Sequence, residues 1–480
     1  MVPSEFIVLD ALPRTPSGKV DRNALPASEG RRPDLGEPYV PPRTLEEEKL
    51  ARVWSAVLGI ERVGIHDNFF LLGGDSILSI QIVSRALQEN LVVTPQQLFQ
   101  HQTVAELALV AGTRPRVEAP QGEVAGPVPL TPIQRWFFDQ ERPEPHYFNQ
   151  ALFLHLSRPL EARHLRAAVL ALLAHHDALR LRAQRGPSGW SQRIVPFAAQ
   201  EADHSFLSVD LRELGPEEAR GPLAATGAQL QASLDLPRGP ILRCAHFRIG
   251  DGSERVLLAV HHLAIDGVSW RVLLEDLYAG YQQSLAGERI QLPPKTTSFQ
   301  QWARRLEAHA SSKELLSEAS HWLEVCRPEA PIATDREGDN DFASTATVAV
   351  LLDAPRTQAL IYEVPAAYRT QVGDVLLAAL ARAFSSWAGR DSMLVNLEGH
   401  GREELFPDFD LSRTVGWFTT IFPVRLTLDR DGAEDEGRCL MSIKEQLRRV
   451  PRRGIGHGLL RYLSGDRELS RKLASEAPIS

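Results

Sequence analysis

Three short stretches of the chain concentrate the side chains able to do chemistry. In "LLGGDSILSIQIVSRAL" (71–87), Ser76 stands between a two-glycine turn and an apolar run with helical spacing. Gly73 and Gly74 permit a turn that bulkier residues resist, and Asp75 and Ser76 sit where N-cap residues belong. Locally the pair reads as a helix cap. The same placement exposes a hydroxyl to modification, at a helix end whose dipole suits a phosphodiester. In "HHLAIDGVSW" (261–270), His261 and His262 end an apolar run and are followed by Asp266 and Gly267. Neighbours in a strand point to opposite faces, so one histidine packs into the core and the other can face a cleft. A carboxylate at Asp266 is suited to orienting the loop through an arginine pair. The His-His-x₃-Asp spacing lacks the i, i+4 pair of a zinc helix, and no metal centre is expected. In "NLEGHGREE" (396–404), Glu398 ends a strand-like run and enters a Gly-x-Gly loop able to approach a ligand closely, with His400 and Arg402 inside it. A core histidine and a polar surface turn are the plain alternatives for the last two stretches.

These residues need elements to hold them. Leu50, Val53, Trp54 and Val57 recur at helical spacing in 44–60, behind a Thr44 N-cap and acidic first-turn residues, and Ile77, Ile80, Val83 and Leu87 do so in 76–87. A further short helix over 103–112 completes a small bundle. Downstream, 151–156, 255–262, 346–352, 393–399 and 420–428 read as strands, and 160–180, 270–285 and 372–388 as helices. That alternation predicts an α/β class. Stretches 26–44 and 111–129 read as Pro- and Gly-rich linkers, and 335–342 and 429–438 as surface loops.

Composition narrows the function. The 480 residues carry a net charge of −8, so there is no overall basic footprint for nucleic acid or an anionic membrane. No apolar run approaches membrane-spanning length and the N-terminus lacks a secretory pattern. Three scattered cysteines form no disulfide framework. The chain reads as cytoplasmic.

"DNFFLLGGDSI" (67–77) resembles the core motif of the peptidyl carrier protein of nonribosomal peptide synthetases. The resemblance covers 41–112 and implies a four-helix-bundle domain whose motif serine, Ser76, carries covalent 4′-phosphopantetheine. Asp75, where family carriers often show His, resembles carriers that precede an epimerization domain. "LPRTPSGKVDRNALP" (12–26), within 1–28, resembles the final motif of an adenylation domain. In that family the lysine, here Lys19, contacts the carboxylate and phosphate of an aminoacyl adenylate.

"TPIQRWFF" (131–138), "HHLAIDGVSW", "DVLLAAL" (374–380), "EGHGRE" (398–403), "RTVGWFTTIFPVRL" (413–426) and "PRRGIGHG" (451–458) stand in the order found in epimerization domains of the same synthetases. His-His-x₃-Asp-Gly alone is shared with condensation domains; "EGHGRE" and "RTVGWFT" discriminate. The resemblance runs over 127–480 and implies two α/β, chloramphenicol acetyltransferase-like lobes with a tunnel between them. The N-lobe covers about 127–295 and the C-lobe about 296–480, incomplete because an "FNYLGQ"-like segment does not appear. The family's catalytic pair maps onto His262 and Glu398. Supporting roles fall to His261, Asp266, Gly267, His400, Arg402 and His457, the last standing where the family motif has tyrosine.

The implied activity is epimerization of an aminoacyl or peptidyl thioester from L to D. The alternatives are a condensation-type acyltransferase forming an amide and an inactive carrier-docking module. The implied partners are the thioester substrate, an upstream adenylation domain, a phosphopantetheinyl transferase, and a downstream condensation domain or further part of the synthetase.

Overall fold

The computed structural model describes residues 32, 38–74, 76–93, 97–98, 101–113, 119–199, 203–328, 338, 344–403, 405–428 and 435–474. The segment 1–28 with Lys19, and Asp75, lie outside the described residues. The chain divides into two units, 1–117 and 118–480, with separate apolar cores.

In the first unit, α1 (Leu45–Leu58) starts on a capping box. The Glu47 N–H donates to Thr44 Oγ1 at 3.2 Å, and the Glu47 carboxylate accepts the Thr44 N–H at 3.3 Å. The helix ends at Gly59 in the left-handed region. It is followed by α2 (Ser76–Gln88), β1 (Leu91–Val92), α3 (Val104–Val110) and β2 (Gly112–Thr113), with β1 and β2 antiparallel. Leu50, Val53 and Trp54 of α1, Ile82 of α2, and Val104 and Leu107 of α3 meet in one core. The turn before α2 is pressed onto that core. A Cβ on Gly74 would stand 2.5 Å from the Phe69 ring, and Gly73 has φ +93°, so both positions demand glycine. Phe69 in turn packs edge-on against Trp54 at 5.2 Å.

The second unit runs β3 (Gly126–Val128), α4 (Pro132–Asp139), β4 (Asn149–His155), α5 (Ala162–His175), β5 (Leu181–Gly186), β6 (Gly189–Ile194), β7 (Phe206–Leu211), α6 (Pro216–Ala232), β8 (Leu242–Ile249) and β9 (Glu254–His261). Then come α7 (Gly267–Leu285), α8 (Phe299–His309), α9 (Val372–Ala388), β10 (Ser392–Gly399), β11 (Thr420–Thr427), α10 (Glu436–Arg448) and α11 (Ile455–Tyr462). Strands order as β4-β9-β8-β7, as β3-β6-β5, and as an antiparallel β10-β11 pair. All pairings are antiparallel except β7 with β8. The interior strand β9 is buried from Val256 to His261, which explains its nearly continuous apolar run. No described helix is long and apolar enough to cross a membrane.

Several expectations change. The predicted strand 346–352 has no strand partner among the described residues, and Val348, Val350 and Leu351 are 91%, 87% and 94% exposed. Apolar content proposes a strand, but only a neighbouring ladder makes one. The second half of the 111–129 linker is folded: β3 pairs with β6, and Gln121 bonds both ways with the Lys295 backbone at 3.0 and 2.8 Å. Of the predicted loop 429–438, the end is helical, because Asp435 accepts the Arg438 N–H and caps α10. Residues 429–434 lie outside the described residues, as does 335–342 apart from Gly338. The helix predicted over 160–180 stops at His175. A 3₁₀ turn follows, held by Arg180 donating to Leu173 O at 2.6 Å and to Asp177 at 2.7 Å.

Candidate active site

Strand β9 ends on His261, and His262 opens a 3₁₀ turn (262–264). The two rings therefore separate because the strand stops between them, not because both belong to it. His261 is fully buried. Its Nδ1 accepts the Leu263 N–H at 3.1 Å and its Nε2 faces the Pro145 carbonyl at 2.8 Å. Burial pushes its pKa down to about 4, so it is a neutral structural bracket.

His262 is placed differently. Its ring lies flat on Phe148, centroids 5.1 Å apart and planes 13° apart, and 4.5 Å from Trp417. Its Nε2 is 2.8 Å from Gln150 Nε2, and Trp270 Nε1 donates to Gln150 Oε1 at 2.7 Å. Burial holds its pKa below the ordinary histidine range, while the Asp266 and Glu398 carboxylates act in the opposite direction.

Asp266 caps α7 by accepting the Ser269 N–H at 2.7 Å. Gly267 follows as the first helical residue, and a Cβ there would meet nothing within 4 Å. Arg402 donates to both Asp266 oxygens at 3.2 and 3.3 Å, to Ser269 Oγ at 2.9 Å, and to the Leu411 and Thr414 carbonyls at 2.7 and 2.8 Å. Its guanidinium covers the Phe418 ring at 4.0 Å. The Phe418 N–H donates to Asp266 at 3.2 Å. This clasp joins the turn bearing His262 to the loop after β10 and to the "RTVGWFT" segment that supplies Trp417.

Glu398 stands at the exposed end of β10, opposite Ile421 of β11. The loop after it is tight for internal reasons: Gly401 has φ +67°, and a Cβ there would lie 1.7 Å from the Phe418 carbonyl oxygen. The glycine that a ligand-approach reading assigns to a substrate thus accommodates the chain itself. His400 is half exposed, with Nδ1 accepting the Arg402 N–H at 3.0 Å and Nε2 3.4 Å from Glu403. His457 on α11 is buried, 5.3 Å from the Trp322 ring and 3.9 Å from Cys326 Sγ, with a pKa pushed down to about 4 by burial. It lines a cavity of about 300 Å³ whose wall also includes Trp136, Asn396, Trp417 and Ile421. Asn396 shares a strand face with Glu398 and the Trp417 ring stands 4.5 Å from His262, but neither His262 nor Glu398 is itself among the residues lining this cavity.

Several site residues carry no catalytic signature in sequence. Gln150 looks like any polar residue in a strand. Gln134 of the "TPIQ" segment donates to the Leu263 carbonyl at 3.1 Å and so supports the His262 turn. Trp270 and Trp417 lie inside the quoted motifs, and only the fold shows that they surround one ring. Among the described residues His175, His176 and Asp276 bring ligand-type atoms within 4.8 Å of one another. Asp276 there is already engaged by His176 at 2.9 Å and by Arg413.

Ser76 is the first residue of α2, two positions after Gly74. A helix N-terminus of 13 residues, preceded by a turn that only glycine satisfies, fits a phosphate-linked prosthetic group on that serine.

The phosphopantetheine attachment site family matches residues 48–110 and the condensation domain family matches residues 124–474. A linear gramicidin synthase of Brevibacillus parabrevis is 47% identical over 485 residues, covering 100% of this chain and 9% of that protein. The chain thus spans about a tenth of that relative. The crystal structure of the epimerization domain from the third module of tyrocidine synthetase B is similar at 37% identity with a TM-score of 0.68, over 75% of this chain and 80% of that one. The first condensation domain of the calcium-dependent antibiotic synthetase shares the fold at 21% identity and a TM-score of 0.56, over 72% of this chain and 78% of that one. The chain belongs to the condensation-domain family and couples such a domain to a phosphopantetheine attachment domain, the arrangement of a nonribosomal peptide synthetase module.

Proposed function

We propose that this chain carries an aminoacyl or peptidyl thioester on 4′-phosphopantetheine at Ser76 and inverts its α-carbon from L to D, using His262 and Glu398. The prosthetic group, when attached, supplies a long tether and a thioester link that makes the α-proton acidic. The chain's own residues do the rest. One member of the His262–Glu398 pair takes the α-proton, and the C–H electron pair moves toward the thioester carbonyl oxygen. The other member returns a proton to the opposite face, the electron pair moves back, and solvent resets both groups. Each positioned proton-transfer group contributes roughly 10²–10⁴-fold. The observation that carries this reading is a histidine on the turn after β9 and a carboxylate at the end of β10, on segments tied together by the Asp266–Arg402 clasp, with the Glu398 carboxylate favouring the charged form of His262. The 37% identity to an epimerization domain supports the same choice.

Upstream adenylation and downstream condensation domains, and a phosphopantetheinyl transferase for priming, are the partners this role requires. Three buried cysteines outside any disulfide suit a reducing cytoplasm. Covalent tethering raises the effective substrate concentration, so weak docking is sufficient.

The test is to prime the protein, load an L-aminoacyl or peptidyl group in D₂O, and follow mass and chirality of the released residue. Deuterium uptake and mixed stereochemistry are expected, and both should vanish in Ser76→Ala, His262→Ala and Glu398→Ala. Pure L product retaining protium would overturn the proposal in favour of amide-forming or docking roles.

A further inference from the structure

We infer that Gln150, fixed by Trp270, holds His262 as the Nδ1–H tautomer with its lone pair at Nε2, and is a positioning residue for proton transfer at that ring. The argument is one of donors and acceptors. An indole N–H only donates. Trp270 Nε1 lies 2.7 Å from the Gln150 side chain, so the atom facing it must be the amide oxygen. The amide nitrogen then faces His262 Nε2 at 2.8 Å. An NH₂ group only donates, so the ring nitrogen it meets must accept. The ring proton therefore sits on Nδ1. Turning the amide over would set its NH₂ against the indole N–H, two donors face to face.

The ring cannot evade this by rotating freely, because Phe148 lies parallel to it and Trp417 stands on it at 4.5 Å. The backbone is pinned as well: the His262 N–H donates to the Phe148 carbonyl at 2.9 Å. The neighbouring histidine is set the other way. His261 Nδ1 accepts the Leu263 N–H, so its proton is on Nε2 and donates to Pro145. Two adjacent histidines are thus fixed in opposite tautomers, one spent on the fold and one presenting a basic nitrogen.

The consequence is chemical. A proton arriving at His262 Nε2 meets the amide NH₂, and Gln150 must yield, breaking its bond to Trp270. Gln150 thereby makes the resting ring a proton acceptor and couples its protonation to a single side-chain movement. The groups acting on the ring charge are the backbone of His262 and Ile265 and then the Asp266 and Glu398 carboxylates, with Arg142 over the Phe148 ring at 4.6 Å. The role in turnover rests on the epimerization reading; the tautomer does not.

The test uses the full primed chain with ¹⁵N-labelled histidine rings, read by long-range ¹⁵N–¹H correlation, with His262 assigned by its loss in His262→Asn. In the unmodified protein near pH 7 a protonated Nδ1 and a bare Nε2 are expected. Gln150→Glu offers Trp270 the same acceptor but turns an oxygen toward the ring. It should move the proton to Nε2 and raise the His262 titration midpoint by about one pH unit or more, as a neighbouring opposite charge does. Trp270→Phe keeps the packing but frees the amide to turn, and should give a mixture of tautomers. An Nε2–H ring in the unmodified protein, or Gln150→Glu spectra identical to it, overturns the inference. Altered tautomers with an unchanged α-proton exchange rate in loaded protein overturn the positioning role. Failure of the epimerization reading is seen separately, as absence of His262-dependent exchange in the unmodified chain.

Discussion

Replacing Arg402 by methionine should destabilise the large unit more than any comparable single change at the site. Its side chain is 8% exposed and that of its partner Asp266 is 6% exposed, so this ion pair is not a screened surface contact. Removing one member of a buried pair costs about 3–5 kcal/mol, because the other charge is left uncompensated. The Leu411 and Thr414 carbonyls each lose a donor as well, adding about 1 kcal/mol between them if water replaces part of the loss. The total is about 4–6 kcal/mol. At about 2 °C per kcal/mol for a unit of this size, the midpoint should fall by about 8–12 °C. All tryptophans except Trp54 lie in the large unit, so intrinsic fluorescence during heating reads it selectively.

The stronger test is a double-mutant cycle. Asp266→Asn keeps an oxygen to cap α7 but strands the guanidinium, and should cost about 3 kcal/mol by itself. Combined with Arg402→Met it should add little, giving a coupling of about 2–3 kcal/mol. Because the clasp joins the His262 turn to the loop after Glu398, α-proton exchange should fall with it. Additivity within about 0.5 kcal/mol, the behaviour of independent sites, would refute the clasp as the element aligning the two residues.

Other expectations follow from separate parts of the molecule. His261 and His457 stay neutral to about pH 4 when folded but take up protons near pH 6.5 when unfolded. The unfolded chain therefore binds more protons in that window, and stability should fall as pH drops from 6.5 toward 4. His457→Phe should lessen that loss by up to about 1.4 kcal/mol per pH unit, measured as denaturant midpoints at pH 7 and 5; an unchanged difference refutes it. Glu398→Gln should cut α-proton exchange by about 10²–10⁴-fold while leaving the melting midpoint within about 1 °C, since no ion pair or hydrogen bond holds this exposed side chain among the described residues. A large thermal shift would mean a structural carboxylate. Gly74→Ala must push Phe69 off its place against Trp54 and should destabilise the carrier unit by about 1–3 kcal/mol, seen in its hydrogen exchange; unaltered exchange would refute the packing argument.

Much of this was legible before any fold was known. Helical spacing located α1 and α2, capping residues marked their starts, and Ser76 was conspicuous because a glycine turn delivers it to a helix end. The apolar run of β9 pointed to a buried strand, and its terminal histidines to a site. These signals are local: each depends on a few neighbours and on one period of the backbone. The strand expected at 346–352 failed for the complementary reason, since pairing is a property of two segments and a sequence window holds one.

What sequence alone determined here is which side chains carry reactive groups and which elements hold them. What only the tertiary structure decided is which of those groups meet. His261 and His262 are chemically identical in the chain, yet Pro145 and Leu263 take one while Phe148, Trp417 and Gln150 take the other. Asp266 and Arg402 are 136 residues apart and become one buried pair. A ring's tautomer and a charge's burial depend on partners brought together across the fold, and that information is not contained in spacing along the chain.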